Sequence, residues 1–362
     1  MTPIVTTRPH ADAQRGFSLI EIMVGIVIGM IAVLVIYQVF AAAEGIKRNT
    51  TSVGDAQQNG LLSSFMLNIE LANASNGVAD AMAQLGNCTA GTNAANSLRP
   101  IPILISDGGA DATPDTFVVN YSVAQGRVTP APADKNGATY VVQSPNGFAN
   151  SNVKRNLIIA IPGTSGDCAV SRVGAYDGTP IPCITDPTQF CVTITPVGAT
   201  IPAAYVLDMG PTTGGVKQRV RYDVNGGVLR STALWNGDGQ AVAQPPDPIA
   251  SNVINMKLLY GIDDGAGGIT WTQATGQWSD ANVLAANNSA LGKIRAARIG
   301  IVVQGEQFDK EKYQQDLLVP PSWKLFKNVL TTPLTGPVTP GFRVRVYETS
   351  IPLRNSLWNP VS

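Results

Sequence analysis

Gly16, Phe17 and Glu21 are the residues near the start of the chain whose types and spacing suggest chemistry. An uncharged run from Ile22 to Ala43 follows them. A secretory signal is cut beyond its apolar region, at a small-residue motif. A cut between Gly16 and Phe17 falls before the apolar run, which then stays in the mature chain with Phe17 as its amino terminus. Glu21 becomes a carboxylate at the mouth of a membrane-length segment, where an ionisable group is costly and marks a function. The chemistry open to it is charge pairing. An ammonium and a carboxylate in low dielectric are tolerable together and costly apart, so such a pair rewards assembly and sets its register.

The elements that must position these groups come next. Residues 1–16 form a weakly basic leader with Arg8, His10, Asp12 and Arg15. At 1.5 Å per residue, about 20 helical residues cross a hydrocarbon core, so 22–43 is long enough. Gly25 and Gly29, four apart, either allow close helix approach or are small residues of a buried helix. Beyond the run, Leu61, Leu62, Phe65, Ile69 and Ala72 recur at helical spacing, with Gln57, Asn59, Asn68 and Glu70 between them. They predict an amphipathic half, 44–77, whose apolar side lies against a globular head. Ending near Asn76-Gly77, such a helix has roughly 60 residues and a length of about 90 Å, with Gly45, Gly54 and Gly60 as weak points.

Gly16-Phe17-Ser18-Leu19-Ile20-Glu21 and the run behind it resemble the class III signal of type IV prepilins. The resemblance implies cleavage after Gly16 by a prepilin peptidase and N-methylation of Phe17. It also implies that Glu21 meets the amino terminus of a neighbouring subunit. The run departs from many major pilins in having no helix-bending proline midway.

Composition narrows the function classes. Lys plus Arg equals Asp plus Glu at 25 each, so no global charge points to nucleic acid. Charged residues make up 14%, against 36 Gly and 25 Pro, which suits a loop-rich β protein outside the cytoplasm. His10, in the leader, is the sole histidine, so a mature chain loses Ser-His-Asp and Cys-His catalysis and every His-containing metal site. No enzyme and no cofactor is expected. Cys88, Cys168, Cys183 and Cys191 are an even set in an exported chain, which predicts disulfides. Three pairings are open. The favoured one closes a short loop with Cys183 and Cys191 and ties the early head to its middle with Cys88 and Cys168. The spacings are wrong for a four-cysteine zinc site.

The head reads as β. Thr116–Val123, Thr139–Gln143, Asn156–Ile161 and Cys191–Thr195 are predicted strands, and Lys217–Val224 pairs with Val228–Trp235 across Asn225-Gly226-Gly227. Asn136-Gly137 and Asn146-Gly147 are further turns, and Pro245–Pro248 reads as a boundary. After it come Val253–Ile262, the strand Lys293–Gln304, a looser charged stretch to Pro321, and Phe342–Thr349. In the last of these, Phe342, Val344 and Val346 alternate as an inward face. The expected fold is α+β: a long amino-terminal helix, half transmembrane and half amphipathic, packed on an antiparallel sheet head with an enlarged loop-rich β region. The expected divisions are a leader (1–16), two helix halves (17–43 and 44–77), the loop-rich region (78–248) and a C-terminal β region (249–362).

That last region strengthens the family likeness. Leu258–Asp263, Ile294–Ile299 and the ending Arg343–Asn355 resemble PilW-type minor pilins. The resemblance implies a minor pilin, inserted in the inner membrane with a periplasmic head and then carried to the pilus tip in a complex that primes assembly. Implied partners are other minor pilins, the major pilin, the prepilin peptidase, the inner-membrane assembly platform and a tip adhesin. The alternatives are a J-type minor pseudopilin of type II secretion and a membrane-anchored periplasmic adhesin or binding protein.

Other candidates have plainer readings beside them. Asp107 and Asp111, and Asp263 and Asp264, sit in Asp-Gly segments that offer oxygens to calcium, but neither segment has the EF-hand spacing, and Asp and Gly form turns by themselves. No other metal site is expected. Gly163-Thr164-Ser165-Gly166 lacks the ending of a phosphate loop. Arg219, Arg221 and Arg230 form either a partner- or DNA-binding stripe or a solvated sheet face. The five tryptophans read as core or rim residues.

Overall fold

The computed structural model describes residues 17–74, 76–78, 81–88, 101–124, 131–143, 156–198, 200–211, 218–235, 244–286 and 288–353. The chain forms two units, 1–51 and 52–362. Helix α1, Leu19–Asn73, contains no proline, and its leucines, alanines and methionines favour the helix. It starts at Ser18, whose carbonyl accepts from the Glu21 and Ile22 N–H groups at 3.0 and 3.2 Å. In the first unit its apolar side chains are exposed, and Arg48 pairs with Glu44 at 2.9 Å.

The second unit is the head, with its elements numbered in chain order. Sheet β1-β2-β9-β10-β11 consists of β1 Ile103–Ser106, β2 Thr116–Asn120, β9 Arg219–Asn225, β10 Val228–Ala233 and β11 Asp247–Ser251, all antiparallel. Sheet β13-β12-β14-β17 consists of β12 Val253–Asp263, β13 Ile269–Gln273, β14 Ile294–Gln304 and β17 Val344–Pro352. A two-stranded sheet, β15 Ser322–Leu325 and β16 Leu334–Pro337, packs through Leu325 and Trp323 on Leu259 and Val302 of the second sheet. Short helices are α2 Met82–Leu85, α3 Asp280–Ala285, α4 Asn288–Leu291 and α5 Lys310–Leu318. One core joins both larger sheets to Leu67 and Leu71 of α1, through Ile103, Phe117, Tyr222 and Tyr260. Phe117 and Tyr222 stack at 4.9 Å.

Between β2 and β9 the chain makes a closed six-stranded barrel in the order β3-β4-β7-β6-β5-β8. Its strands are β3 Ala131–Asn136, β4 Thr139–Gln143, β5 Asn156–Ile161, β6 Ala169–Pro182, β7 Phe190–Gly198 and β8 Tyr205–Pro211. Pairing of Ala131 with Val206 closes the ring. Tyr140, Val142, Ile158, Ala160 and Ile194 fill its inside. Leu157, Ile159 and Ile161 point outward onto Val78, Leu85 and Trp235. Both faces of β5 are therefore covered, which is why its six residues are all buried and read as one apolar burst. The structure pairs Cys88 with Cys168, fixing the end of α2 to the barrel wall, and Cys183 with Cys191, closing the β6–β7 loop.

The fold is α+β, with a long amino-terminal apolar helix and many antiparallel strands. The strands expected at Thr139–Gln143 and Asn156–Ile161 are β4 and β5. The expected hairpin is β9–β10, whose turn puts Gly226 and Gly227 at φ +58° and +77°, left-handed values open to glycine. The predicted turn at Asn146-Gly147 lies outside the described residues. Two expectations about the C-terminal region need correction. The stretch after Gln304 holds a helix, α5. In β17, Val346 is exposed, while the Tyr347 ring turns to α1; the helix, not the alternation, decides that face.

Candidate functional site

Gly16 lies outside the described residues. Phe17 is 82% exposed, and the large apolar side chains from Leu19 to Phe40 are exposed with it. By length and composition, α1 has one segment able to cross a membrane. Glu21 also has a local task that sequence reasoning missed. Its Oε2 accepts from the Ser18 N–H at 3.4 Å, one half of a capping box. The Ser18-x-x-Glu21 spacing was the available signal. The arrangement presents a carboxylate at the helix start, four residues from exposed Phe17.

The other end of α1 is built differently. Its buried side is Ser52, Ala56, Gly60, Ser63, Leu67 and Leu71. The expected apolar face is on the outside instead: Leu61, Leu62, Phe65 and Ile69 are all exposed, Phe65 at 64%. Close approach of backbones explains the reversal. A Cβ at Gly60 would collide with the Tyr347 ring, and one at Gly305 with Ser52. Small residues let the helix come close to β17 and to Gly305, just past β14, and the large side chains lie on the outside. Polar contacts fix the register. Tyr121 donates to Glu70 at 3.2 Å, and Asn59 donates to Ser251 at 3.4 Å. Burial and the Glu70 carboxylate together raise the pKa of the Tyr121 and Tyr222 phenols.

The aspartate segments resolve into self-contained structures. Around Asp107 and Asp111 the cation is supplied by the protein. Lys257 Nζ, buried, donates to Asp115 Oδ1 at 2.8 Å and to the Ala110 carbonyl at 3.2 Å, with Asp107 Oδ1 at 3.5 Å. Asp115 also accepts from the Gly108 and Leu258 N–H groups at 3.0 and 2.9 Å. Burial raises its pKa against the pull of those bonds and of Lys257. Asp111 Oδ2 takes the Thr335 N–H at 3.0 Å. In the second segment, Asp264 Oδ1 caps the Ala266 and Gly268 N–H groups, and Asp263 takes Gly265 N–H and Arg295. These carboxylates act as turn formers.

The arginines share the face of the first sheet that is turned away from its core. Asp223 neutralises Arg230 at 2.7 Å and lies 3.6 Å from Arg221. Arg219 lies over Trp235 at 6.0 Å, and burial lowers its pKa to about 10. A solvated cationic stripe does not form. Trp323 and Trp235 are core residues, and Trp271 packs with Arg298. Trp358 lies outside the described residues.

Comparison with known proteins gives two family matches. Residues 12–37 match the prokaryotic N-terminal methylation motif, and residues 220–355 match type IV pilus-assembly protein W. Among solved structures, the chain is similar to the type IV-like pilin TTHA1219 from Thermus thermophilus. The identity is 11%, over 83% of this chain and 97% of that one, at a TM-score of 0.35, too low to bear on the argument. No curated protein matches. A methylation-motif terminus opens a long apolar helix with antiparallel sheets behind it, a pilin-like arrangement. The region from within β9 to past β17 is similar to type IV pilus-assembly protein W.

Proposed function

We propose that this chain is a minor pilin that starts type IV pilus assembly and stays at or near the tip. The leader is removed after Gly16, and Phe17 becomes the N-methylated terminus. The 22–43 segment holds the protein in the inner membrane with its head in the periplasm. Glu21 pairs with the amino terminus of an adjacent subunit as the helix leaves the bilayer. Other minor pilins, the major pilin and the assembly platform are the partners. The role is structural, without catalysis or cofactor.

The observation that carries this reading is the contrast along α1, which has an exposed start that is apolar apart from Glu21 and Gln38 and a second part already committed to the head by Gly60 and Tyr347. The start is free for assembly. The enlarged head, with a whole barrel inserted between β2 and β9, suits a subunit used once better than one repeated along a fibre. Sheared fibres from cells with the natural chain, a Glu21→Ala chain or none test it. Few copies per fibre, and far fewer fibres in both altered strains, are expected. Normal fibre numbers without the chain overturn the priming role.

A further inference from the structure

An amine and a carboxyl are buried against each other inside the head. The Lys257 and Asp115 side chains are 2% and 4% exposed, with Nζ 2.8 Å from Oδ1. Lys257 belongs to β12 of the second sheet, and Asp115 directly precedes β2 of the first. The backbone on both sides of the lysine fixes their approach. The Asp115 N–H donates to the Met256 carbonyl at 2.8 Å, and the Leu258 N–H donates to Asp115 Oδ2 at 2.9 Å. Oδ1 takes the Gly108 N–H at 3.0 Å. The carboxyl is thus held over the amine, whose Nζ is also anchored by the Ala110 carbonyl at 3.2 Å.

These are the parts of a condensation. Two groups fixed in contact act at a very high effective concentration. Two charges withdrawn from water are costly to keep, and burial pushes Asp115 towards its neutral acid. The Gly108 and Leu258 N–H groups point at the two carboxyl oxygens, where negative charge collects when the carbon between them is attacked. A second carboxylate stands at the amine. Asp107 Oδ1 lies 3.5 Å from Nζ and its side chain is 15% exposed, which gives a path for a proton and for a released water. The Gly109 N–H holds that oxygen at 2.8 Å.

We propose that Lys257 and Asp115 condense into an amide (isopeptide) bond that joins the two larger sheets covalently. A proton passes from the ammonium to the Asp115 carboxylate. The Lys257 nitrogen attacks Asp115 Cγ, the N–C bond forms and one C–O bond breaks. Asp107 carries a second proton from the nitrogen to the departing oxygen. One water leaves, made of one Asp115 oxygen and two Lys257 protons, and the third proton stays on the amide. Nothing is oxidised or reduced. The bond spans 142 residues and, unlike the two disulfides, survives reductant.

Mass spectrometry of the purified full chain, reduced and digested with trypsin, provides the test. Trypsin does not cut after an acylated lysine. The peptide bearing Asp115 should therefore be joined to one that runs uncut through Lys257, the pair lighter by one water. Lys257→Arg keeps the cation and should give no joined pair, and Asp107→Asn should leave most chains unjoined. Normal cutting after Lys257 makes the two groups a plain ion pair and overturns the proposal. Loss of water within a single peptide also overturns it, since an Asp-Gly step such as Asp107-Gly108 can close to a succinimide without any cross-link. Full joining in Asp107→Asn overturns the proton route through Asp107.

Discussion

The sheets docked on α1 and the barrel inserted between β2 and β9 are stabilised by different means. The docked sheets share one apolar core with the helix, and the loop 107–115 is locked onto them by a buried lysine. The barrel has its own smaller core and is covalently fastened by Cys88–Cys168 and Cys183–Cys191. A long-range interface with a helix depends on close steric fit, and small residues set it. A small closed barrel has little interior to bury, and cross-links compensate. The protein W match covers the docked sheets from β9 onward, and the barrel lies outside it.

The largest expected effect breaks the barrel side. Replacing Cys88 and Cys168 with Ser removes a link across 80 residues and should cost about 4–5 kcal/mol. Denaturant unfolding measures the loss, and amide exchange should rise in β5 and β6 more than in β12 and β14. Lys257→Met is the counterpart in the sheets. It strands Asp115 without its cation and should cost about 3–5 kcal/mol, with exchange rising in β12. If either variant loosens both regions equally, they are one cooperative unit and the contrast is wrong.

Asp208 joins the two regions and is sensitive to pH. Its carboxylate takes Asn156 Nδ2 at 2.9 Å and the Gly210 N–H at 2.8 Å, while its carbonyl takes Ser122 Oγ at 3.0 Å. Burial raises its pKa from 3.8 to about 6. The folded state thus holds a proton that the unfolded state has lost between those values. The stabilisation is complete below about pH 4 and disappears as pH rises through 6, a swing of about 3 kcal/mol. Melting temperature should rise from pH 7 to pH 5, and Asp208→Asn should flatten that rise. The smallest effect is expected from Gly60→Ala, about 1–2 kcal/mol, since the Tyr347 ring can give way. Amide exchange along 56–63 should report it, and an unchanged helix would mean that the close approach matters little.

Local patterns were legible in the sequence, and distant ones were not. β4 and β5 stand out as short apolar bursts between turn residues, and Asn225-Gly226-Gly227 dictates its hairpin. The closure of six strands into a barrel depends on β3 meeting β8, some 70 residues apart, and no local pattern carries that. The helix face was misread because size was taken as a sign of burial, whereas the helix–sheet distance selects Ala56 and Gly60. Helix α5 is polar and hides among charges, although Asp309, whose Oδ1 caps the Lys312 N–H at 3.0 Å, and the Pro320-Pro321 stop marked both its ends. Glu21 was found by its charge, while its capping bond went unnoticed.

Asn120, where the chain leaves the first sheet, pairs directly with Arg219, where it returns. The chain enters and leaves the barrel region at two adjacent points on neighbouring strands, with the Cys88–Cys168 link as a further attachment. Such an arrangement is modular at the strands: a tight turn could join Asn120 to Arg219, although Cys88 would lose its partner and Val78, Leu85 and Trp235 their cover. What the head displays could then change while the surfaces proposed to join it to a fibre stay as they are.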